Sequence, residues 1–422
     1  MSEPLQAFLA DRRVHPYSSV VEAAPRTIAV AARGPVAIEI YDGLEAVEEV
    51  WRQLEASADC TVFQSFDWLS CWHRHIGRRL KVRPAIVVGR RAAGEPLFLM
   101  PLALAPGVVR RLTWLGSNLC DYNAPLLAAD FSDHVTPAEF GELWSGICRE
   151  LQKRPQHRHD LIELTKMPER VAAQANPFVW LDVGLNPSGA HFTPLQGSWD
   201  EFYHAKRSSA TRRRDRTKRK RLGEFGEVRF ITAQEPDDVA RTLEILIEQK
   251  SKAFARMGVP DIFGRFGHRE FFFDLATNPR SRHLVHVSRL DVGSTCAAAN
   301  LGLVFNDTYY HVLASYNDGD AARFGPGAAH LRDLLCCAIE RGLRCFDFTI
   351  GDERYKLEWS EGTLRLYDLA ASASMRGWPV AALAGARRLL TRMIKQNPVL
   401  WSTFSRLRSA LVPTPKKTTS ED

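Results

Sequence analysis

The chain has 422 residues, 45% of them hydrophobic, enough for two or three domains with cores of their own. Its net charge of +7 is unevenly placed: residues 206–221 hold ten basic residues against one acid, Asp215, and residues 376–417 hold nine basic residues and no acid. Each segment alone exceeds the charge of the whole, so the remaining body is acidic, which excludes a generally basic nucleic-acid binder and points to two local anionic partners.

Residues 1–35 mix Pro, Arg, Ala and Ser and read as a flexible lead-in. Val36–Tyr41 alternates as a strand, and 43–58 and 66–76 read as helices, the second opened by Ser65 and Asp67. Phe63, Trp68, Leu69 and Trp72 are expected to pack as core. Strands follow at 83–89, 97–104 and 110–115, then a helix at 137–153 with Phe140, Leu143, Trp144, Ile147 and Leu151 inward, then a strand at 160–164. Residues 36–185 therefore form a first domain. A Gly/Pro/Ser-rich stretch and the basic run make up a linker over 186–225. Ser198 and Glu201 form a capping box for a helix that carries the basic run, with three roles open: a solvated structural helix, acceptor binding or nucleic-acid binding. The run contains no aromatic residue on which bases could stack, which disfavours nucleic acid.

A second domain covers 226–375 and repeats the order of the first: strand 228–232, helices 237–257 and 268–276, strand 283–290, then a hairpin of 297–305 and 308–316 across Asn306-Asp307. The hairpin feeds Arg323-Phe324-Gly325-Pro326-Gly327-Ala328 and a helix over 329–341 that Gly342 stops; Cys345–Ile350 returns as a strand. A glycine turn ahead of a helix aims unpaired backbone N–H groups and the positive end of the helix dipole at one spot, a site suited to a pyrophosphate. The first domain has no such turn; Ser117, Asn118, Asp121, Tyr122 and Asn123 stand there, a loop that is either solvated or helps grip an acceptor. Residues 376–422 carry basic amphipathic helices over 380–394 and 399–411, suited either to packing on the second domain or to an anionic membrane surface through 376–417.

The hairpin, the G-P-G turn, the helix and the F-D-F strand resemble the cofactor-binding half of the GNAT acyltransferase superfamily. F-D-F-T-I-G-D-E-R-Y-K-L-E-W, from Phe346 to Trp359, is similar to the end of that domain in CelD-type proteins of cellulose and exopolysaccharide synthesis, which are related to FemABX-like proteins. The resemblance implies an α/β fold of two tandem GNAT-like domains, mixed central sheets flanked by helices, with C-terminal helices added. It implies that the turn at 323–328 holds coenzyme A, with acetyl-CoA as donor. The superfamily's Gln or Arg ahead of the first glycine falls on Ala322, with Arg323 one place late.

Direct acyl transfer needs a base for the acceptor, a polarised carbonyl and an acid for the leaving thiolate. The residues near the expected gap assign Asp347 or Glu353 as base and Tyr355 as acid, with His311, Tyr316, Asp352 and Lys356 as substrate contacts. The expected activity is acetyl transfer to a sugar or polysaccharide precursor, the acceptor resting on the resemblance. Two alternatives stand beside it: an aminoacyltransferase using aminoacyl-tRNA, and a non-catalytic scaffold of a polysaccharide synthesis complex. The eight cysteines include no C-x-x-C pair, and His73/His75 and His157/His159 lack further ligands at metal spacing, so free thiols and no metal are expected. No run reaches the roughly 18–20 apolar residues of a membrane span, and no secretion core is visible, so a cytoplasmic location, peripheral to the inner membrane at most, is expected.

Overall fold

The computed structural model describes residues 26–28, 35–117 and 119–386. Most of the expected N-terminal lead-in, Asn118 and the greater part of the C-terminal helices lie outside the described residues.

The first sheet takes β1 (Arg26–Ile28), β2 (Val36–Tyr41), β3 (Arg83–Arg90), β4 (Pro96–Ala105), β5 (Arg111–Trp114), β6 (Leu126–Leu127), β7 (Leu161–Pro168) and β10 (Gly184–Leu185); a small hairpin of β8 (Arg170–Val171) and β9 (Gln174–Ala175) stands apart. β4 is apolar over nearly its whole length because it is central and covered on both faces. Helices α1 (Glu48–Glu55), α2 (Phe66–Trp72), α3 (Phe131–His134) and α4 (Pro137–Lys153) cover this sheet. A capping box of Thr136 and Glu139, with Pro137 in the first turn, starts α4.

The second sheet runs β12 (Val228–Ala233), β13 (Val285–Val292), β14 (Thr295–Phe305), β15 (Thr308–Tyr316), β16 (Cys345–Ile350), β11 (Ala190–Pro194), β17 (Gly362–Leu364). Its helices are α5 (Trp199–Lys206), α6 (Ser209–Gly223), α7 (Pro236–Met257), α8 (His268–Thr277), α9 (Pro326–Glu340) and the short α10 (Arg354–Trp359). The architecture is thus α/β, two mixed sheets flanked by helices, as expected.

Hydrogen bonding cuts across the expected boundaries at two places. β11, expected within the linker, pairs with β16 and β17 in the second sheet. β18 (Leu366–Ser372), expected in the second domain, crosses back and inserts between β7 and β10 of the first sheet. Both strands satisfy the open backbone edge of a sheet formed elsewhere in the chain, and a short local pattern does not say which sheet it will join. The basic run also differs from the single helix expected: Ser198 and Glu201 cap α5, the chain breaks at extended Arg207, and Ser208 starts α6.

The two halves share one apolar core. Trp68 of α2 meets the Phe271 ring of α8 edge-on at 5.0 Å, and Phe63 packs against Tyr122 and against Tyr310 of β15. Asp274 of α8 accepts from Arg74 and contacts His75 at the same oxygen, at 2.7 and 2.8 Å, beside the buried Cys71 thiol. The ligand atoms of Cys71, His75 and Asp274 lie within 4.8 Å of one another, but the Arg74 guanidinium already supplies positive charge there.

Because β18 fills the seam between β7 and β10, a chain ending at Leu364 should leave both edges unpaired. We expect such a truncation to lose the cooperative thermal transition of the first half and to be cleaved rapidly by protease within 36–185.

Candidate functional site

The site begins where two parallel strands separate. β15 and β16 pair through Thr308/Cys345, Tyr309/Phe346 and Tyr310/Asp347, and no further. Just beyond, β15 carries a bulge: Leu301 pairs with Leu313 but Gly302 with His311, so Val312 is the extra residue. β16 carries another, at Phe348, where its pairing with β11 shifts. Bulges bend and twist a strand, and here two of them steer the partners apart. Thr349 then adopts φ 61°, a left-handed conformation rare outside glycine, which turns β16 further away.

A cavity of about 510 Å³ occupies the gap. At its mouth Gly325 takes φ 68° as the residue before α9, and Pro326 fills the first position of the helix. The first helical bond runs from the Ala329 N–H to the Gly325 carbonyl, so the amides of Gly327 and Ala328 point out of the helix start. A Cβ on Gly327 would first meet the Tyr316 side chain, at an ordinary contact distance of 3.5 Å, so packing does not force the bare backbone there.

The basic helix completes this mouth. α6 rests on α9 through reciprocal ion pairs, Arg219 to Asp333 at 2.7 Å and Arg332 to Asp215 at 3.0 Å. Arg207, at the break between α5 and α6, lies over the Trp359 ring at 4.0 Å and reaches Glu358 at 3.1 Å. A second hollow of about 290 Å³ adjoins the cavity, sharing Arg207, Ala328, Glu358 and Trp359 with it and adding Arg214, Lys218 and Arg332. The Lys218 ammonium lies 3.9 Å from where a Cβ of Gly325 would stand. Asp215 and Glu358 also line this hollow and engage Arg332 and Arg207, so Arg214, Lys218 and two free amides are left to face one spot, a setting suited to a phosphate ester.

Deeper in, the lining is polar and partly neutral. Burial, reinforced by Lys356, His330 and Lys250, pushes the His311 imidazole down to about 3. Burial does the same to His330, whose Nε2 lies 3.1 Å from the Ser288 hydroxyl. Lys250 is held below its ordinary value by burial and donates to the Ala314 carbonyl at 3.1 Å. Lys356 donates to the Ile350 carbonyl at 2.6 Å and pairs with Glu353 at 3.2 Å. The Tyr355 phenol is raised by burial and then by Glu353, so it stays protonated.

From the first domain, half-buried Asp121 reaches into this cavity, hydrogen-bonded to Thr349; burial raises its carboxyl above the ordinary range against the pull of Lys166 and Lys356. Its neighbour Tyr122 is fully buried and donates to Asp347 Oδ1 at 2.7 Å, the oxygen that also accepts the Thr349 N–H at 2.7 Å.

These positions sort the candidates. Glu353, Tyr355, Lys356, His311, Tyr316, Gly327 and Ala328 line the cavity, and Gly325 and Pro326 shape its mouth. Asp347 does not line it: the carboxyl is buried behind the strands and ties the two domains together through Tyr122. Asp352 turns away to His191, 3.3 Å distant. Phe324 packs on Phe225 beneath the turn, and Arg323 stacks over Phe324 at 5.0 Å, neither facing the cavity. Sequence reasoning did not single out Lys250, Thr349, His330, Arg207 or Trp359 as site residues. Thr349 and Trp359 lay within the stretch from Phe346 to Trp359, Arg207 lay in the basic run, and Lys250 carried a signal as a cation on the helix face that Leu246 and Ile247 bury.

Residues 209–357 match the family model described as the acetyltransferase (GNAT) domain. That span runs from the start of α6 into α10, and so takes in the glycine turn, the basic helix and most of the cavity lining, with Asp121, Arg207, Glu358 and Trp359 outside it. Among solved structures the chain is similar to FemX, with 9% identity, 81% of this chain and 98% of that one covered and a TM-score of 0.53. It is also similar to a conserved protein of unknown function from Bacteroides thetaiotaomicron VPI-5482, with 13% identity, 79% and 99% covered and a TM-score of 0.51. A more distant likeness is a tandem GNAT protein from the clavulanic acid biosynthesis pathway, with 12% identity, 80% and 99% covered and a TM-score of 0.42. No curated protein sequence matches the chain. The likenesses with TM-scores of 0.53 and 0.51 show the fold, and the sequence match places a GNAT domain over most of the cavity lining.

Asp347 supplies a test of its structural role. Burial lifts its carboxyl to about 7 against the lowering by Tyr122 and Thr349, so the folded state holds a proton that the unfolded chain releases near its ordinary value. Stability contributed by that proton is present at low pH and lost as pH rises toward 7. We expect wild-type stability to fall across that window in denaturant titrations, and Asp347→Asn, which keeps both hydrogen bonds, to flatten the fall.

Proposed function

We propose that the chain is an acyltransferase taking its acyl group from acetyl-CoA and delivering it to an amine or hydroxyl of a sugar or polysaccharide precursor. One observation carries the donor: strands that part beyond Tyr310 and Asp347 with the free amides of Gly327 and Ala328 at the mouth of the gap. A thioester arm laid in that gap would end beside Asp121, Glu353 and Tyr355. Asp121 or Glu353 would take the proton from the acceptor as its nitrogen or oxygen bonds to the thioester carbonyl. Tyr355 would return a proton to the departing thiolate as the carbon–sulfur bond breaks. Arg214 and Lys218 would hold the remaining phosphate of the donor, with Arg207 and Arg332 held beside them by Glu358 and Asp215. The acceptor rests on the resemblance of the stretch from Phe346 to Trp359 to CelD-type proteins.

The cations of α6 beside the cavity favour one second reading, aminoacyl transfer with aminoacyl-tRNA as donor, in which the same residues would meet an RNA backbone. Calorimetric titration separates the two. The first requires saturable binding of acetyl-CoA, weakened at least a hundredfold in Gly327→Glu, which sets a carboxylate where the phosphate would lie, without loss of thermal stability. Binding of charged tRNA with indifference to acetyl-CoA would replace it by the second. Indifference to both would leave a non-catalytic scaffold.

Within the first reading Asp121→Asn or Glu353→Gln, whichever removes the base, should lower kcat by about 10²- to 10⁴-fold, the usual worth of a positioned base. Asp347→Asn should leave kcat near the wild-type value in the same steady-state assay, because that carboxyl faces the domain junction.

A further inference from the structure

The first sheet presents a second charged and apolar face at the edge opposite Asp121. The pairs Arg83/Leu104, Ala105/Arg111, Arg111/Leu161 and Leu161/Ser372 bring the start of β3, the end of β4, the starts of β5 and β7 and the end of β18 onto one edge. β5 runs from this edge toward Asp121, so the cavity opens at its far end. Five strands at the usual spacing make the edge about 20 Å across.

A hollow of about 360 Å³ lies there, walled by Leu104, Pro106 and Pro155 and rimmed by Lys81, Arg83, Arg110 and Arg158. The nearby acids are already engaged: Asp160 by Arg110, Glu163 by Arg111 and Asp42 by His157. Lys81, Arg83 and Arg158 have no acidic partner among the described residues, and no acid rims the hollow.

Large apolar side chains stand exposed around these cations. Val108, at the tip of the β4–β5 turn, is 97% exposed, and Leu80, just before Lys81, is 50% exposed. On the other flank Met375 is 95% and Trp378 68% exposed. That flank is anchored: the amides of Ala373 and Ser374 donate to the Asp160 carbonyl, which places the segment at this same edge. From Arg376 the chain continues to Lys417 without an acidic residue.

Exposed apolar residues gathered on one face mark a contact surface. Cations around a headgroup-sized hollow, with Trp, Met, Val and Leu beside them, complement an anionic lipid interface, where the cations meet phosphate and the apolar tips enter the acyl boundary. A groove for nucleic acid would call for aromatic platforms along a track, and Trp378 is the single large aromatic exposed here among the described residues. We infer that this edge docks the protein on an anionic phospholipid surface, with Lys81, Arg83 and Arg158 seating a lipid phosphate and the donor cavity left open on the opposite side. The inference stands whether or not the donor is acetyl-CoA.

Co-sedimentation of the full chain with vesicles tests it. The protein should pellet with vesicles of phosphatidylcholine mixed with phosphatidylglycerol, not with phosphatidylcholine alone, and added salt should weaken the binding. The triple variant Lys81→Gln, Arg83→Gln, Arg158→Gln should bind about a hundredfold more weakly, near the tenfold or less expected per basic residue at such a surface. Val108→Asp, at a tip position that cannot disturb the core, should weaken binding with an unchanged melting temperature. A wild-type chain that ignores the mixed vesicles overturns the inference, as do variants that bind like wild type. Retention of single-stranded RNA without vesicle binding would assign the edge to nucleic acid instead.

Discussion

The hydrogen bond from Tyr122 to Asp347 sits at the point on which the rest of the molecule turns. Asp347 belongs to the last residue pair that β15 and β16 share, and the next residues of both strands bulge apart. The same carboxyl oxygen holds the Thr349 amide and so supports the left-handed turn that widens the gap. A buried carboxyl costs several kcal/mol if left ionised and unpaired, and this one is lifted by burial to about 7 and accepts two hydrogen bonds at Oδ1. The opening of the second domain is therefore pinned by a side chain of the first.

That dependence explains why the two halves are chemically unequal yet inseparable. The second half supplies the parted strands, the amides at the start of α9 and the cations of α6. The first supplies Asp121 and Tyr122 from a loop that lacks a phosphate turn. The halves are further bound by exchange of backbone, β11 into the second sheet and β18 into the first. Relative motion of the domains would have to break those ladders and the aromatic contacts of Phe63 and Trp68, so the cavity is held in shape before any ligand enters.

The basic helix shows how charge is made compatible with folding. Fifteen residues of α6 with so many like charges would repel in isolation, and ion pairs with Asp333 and Arg332 of α9 lay the helix along its neighbour. The pairing leaves Arg214 and Lys218 turned toward the start of α9, beside Arg207 and Arg332. A feature that reads as a solvated run in one dimension thus becomes one wall of an anion site in three.

Much of the architecture was legible in the sequence because periodicity and punctuation are local. The alternation in 36–41, the capping box at Ser198 and Glu201, the Asn306-Asp307 hairpin and the Gly325–Gly327 turn each follow from a few neighbouring residues. Their order was enough to suggest two α/β domains, and the chemistry of a glycine turn was enough to place an anion site. What the sequence left open was every question decided by contacts between distant segments. Only the tertiary structure could send β18 to the first sheet, withdraw Asp347 from the cavity into the domain junction and bring Asp121 into it. A carboxylate's role is fixed by what buries it and what bonds it, and the side chains that settle it here, Tyr122 at Asp347 and Thr349 at Asp121, come from the opposite half of the chain.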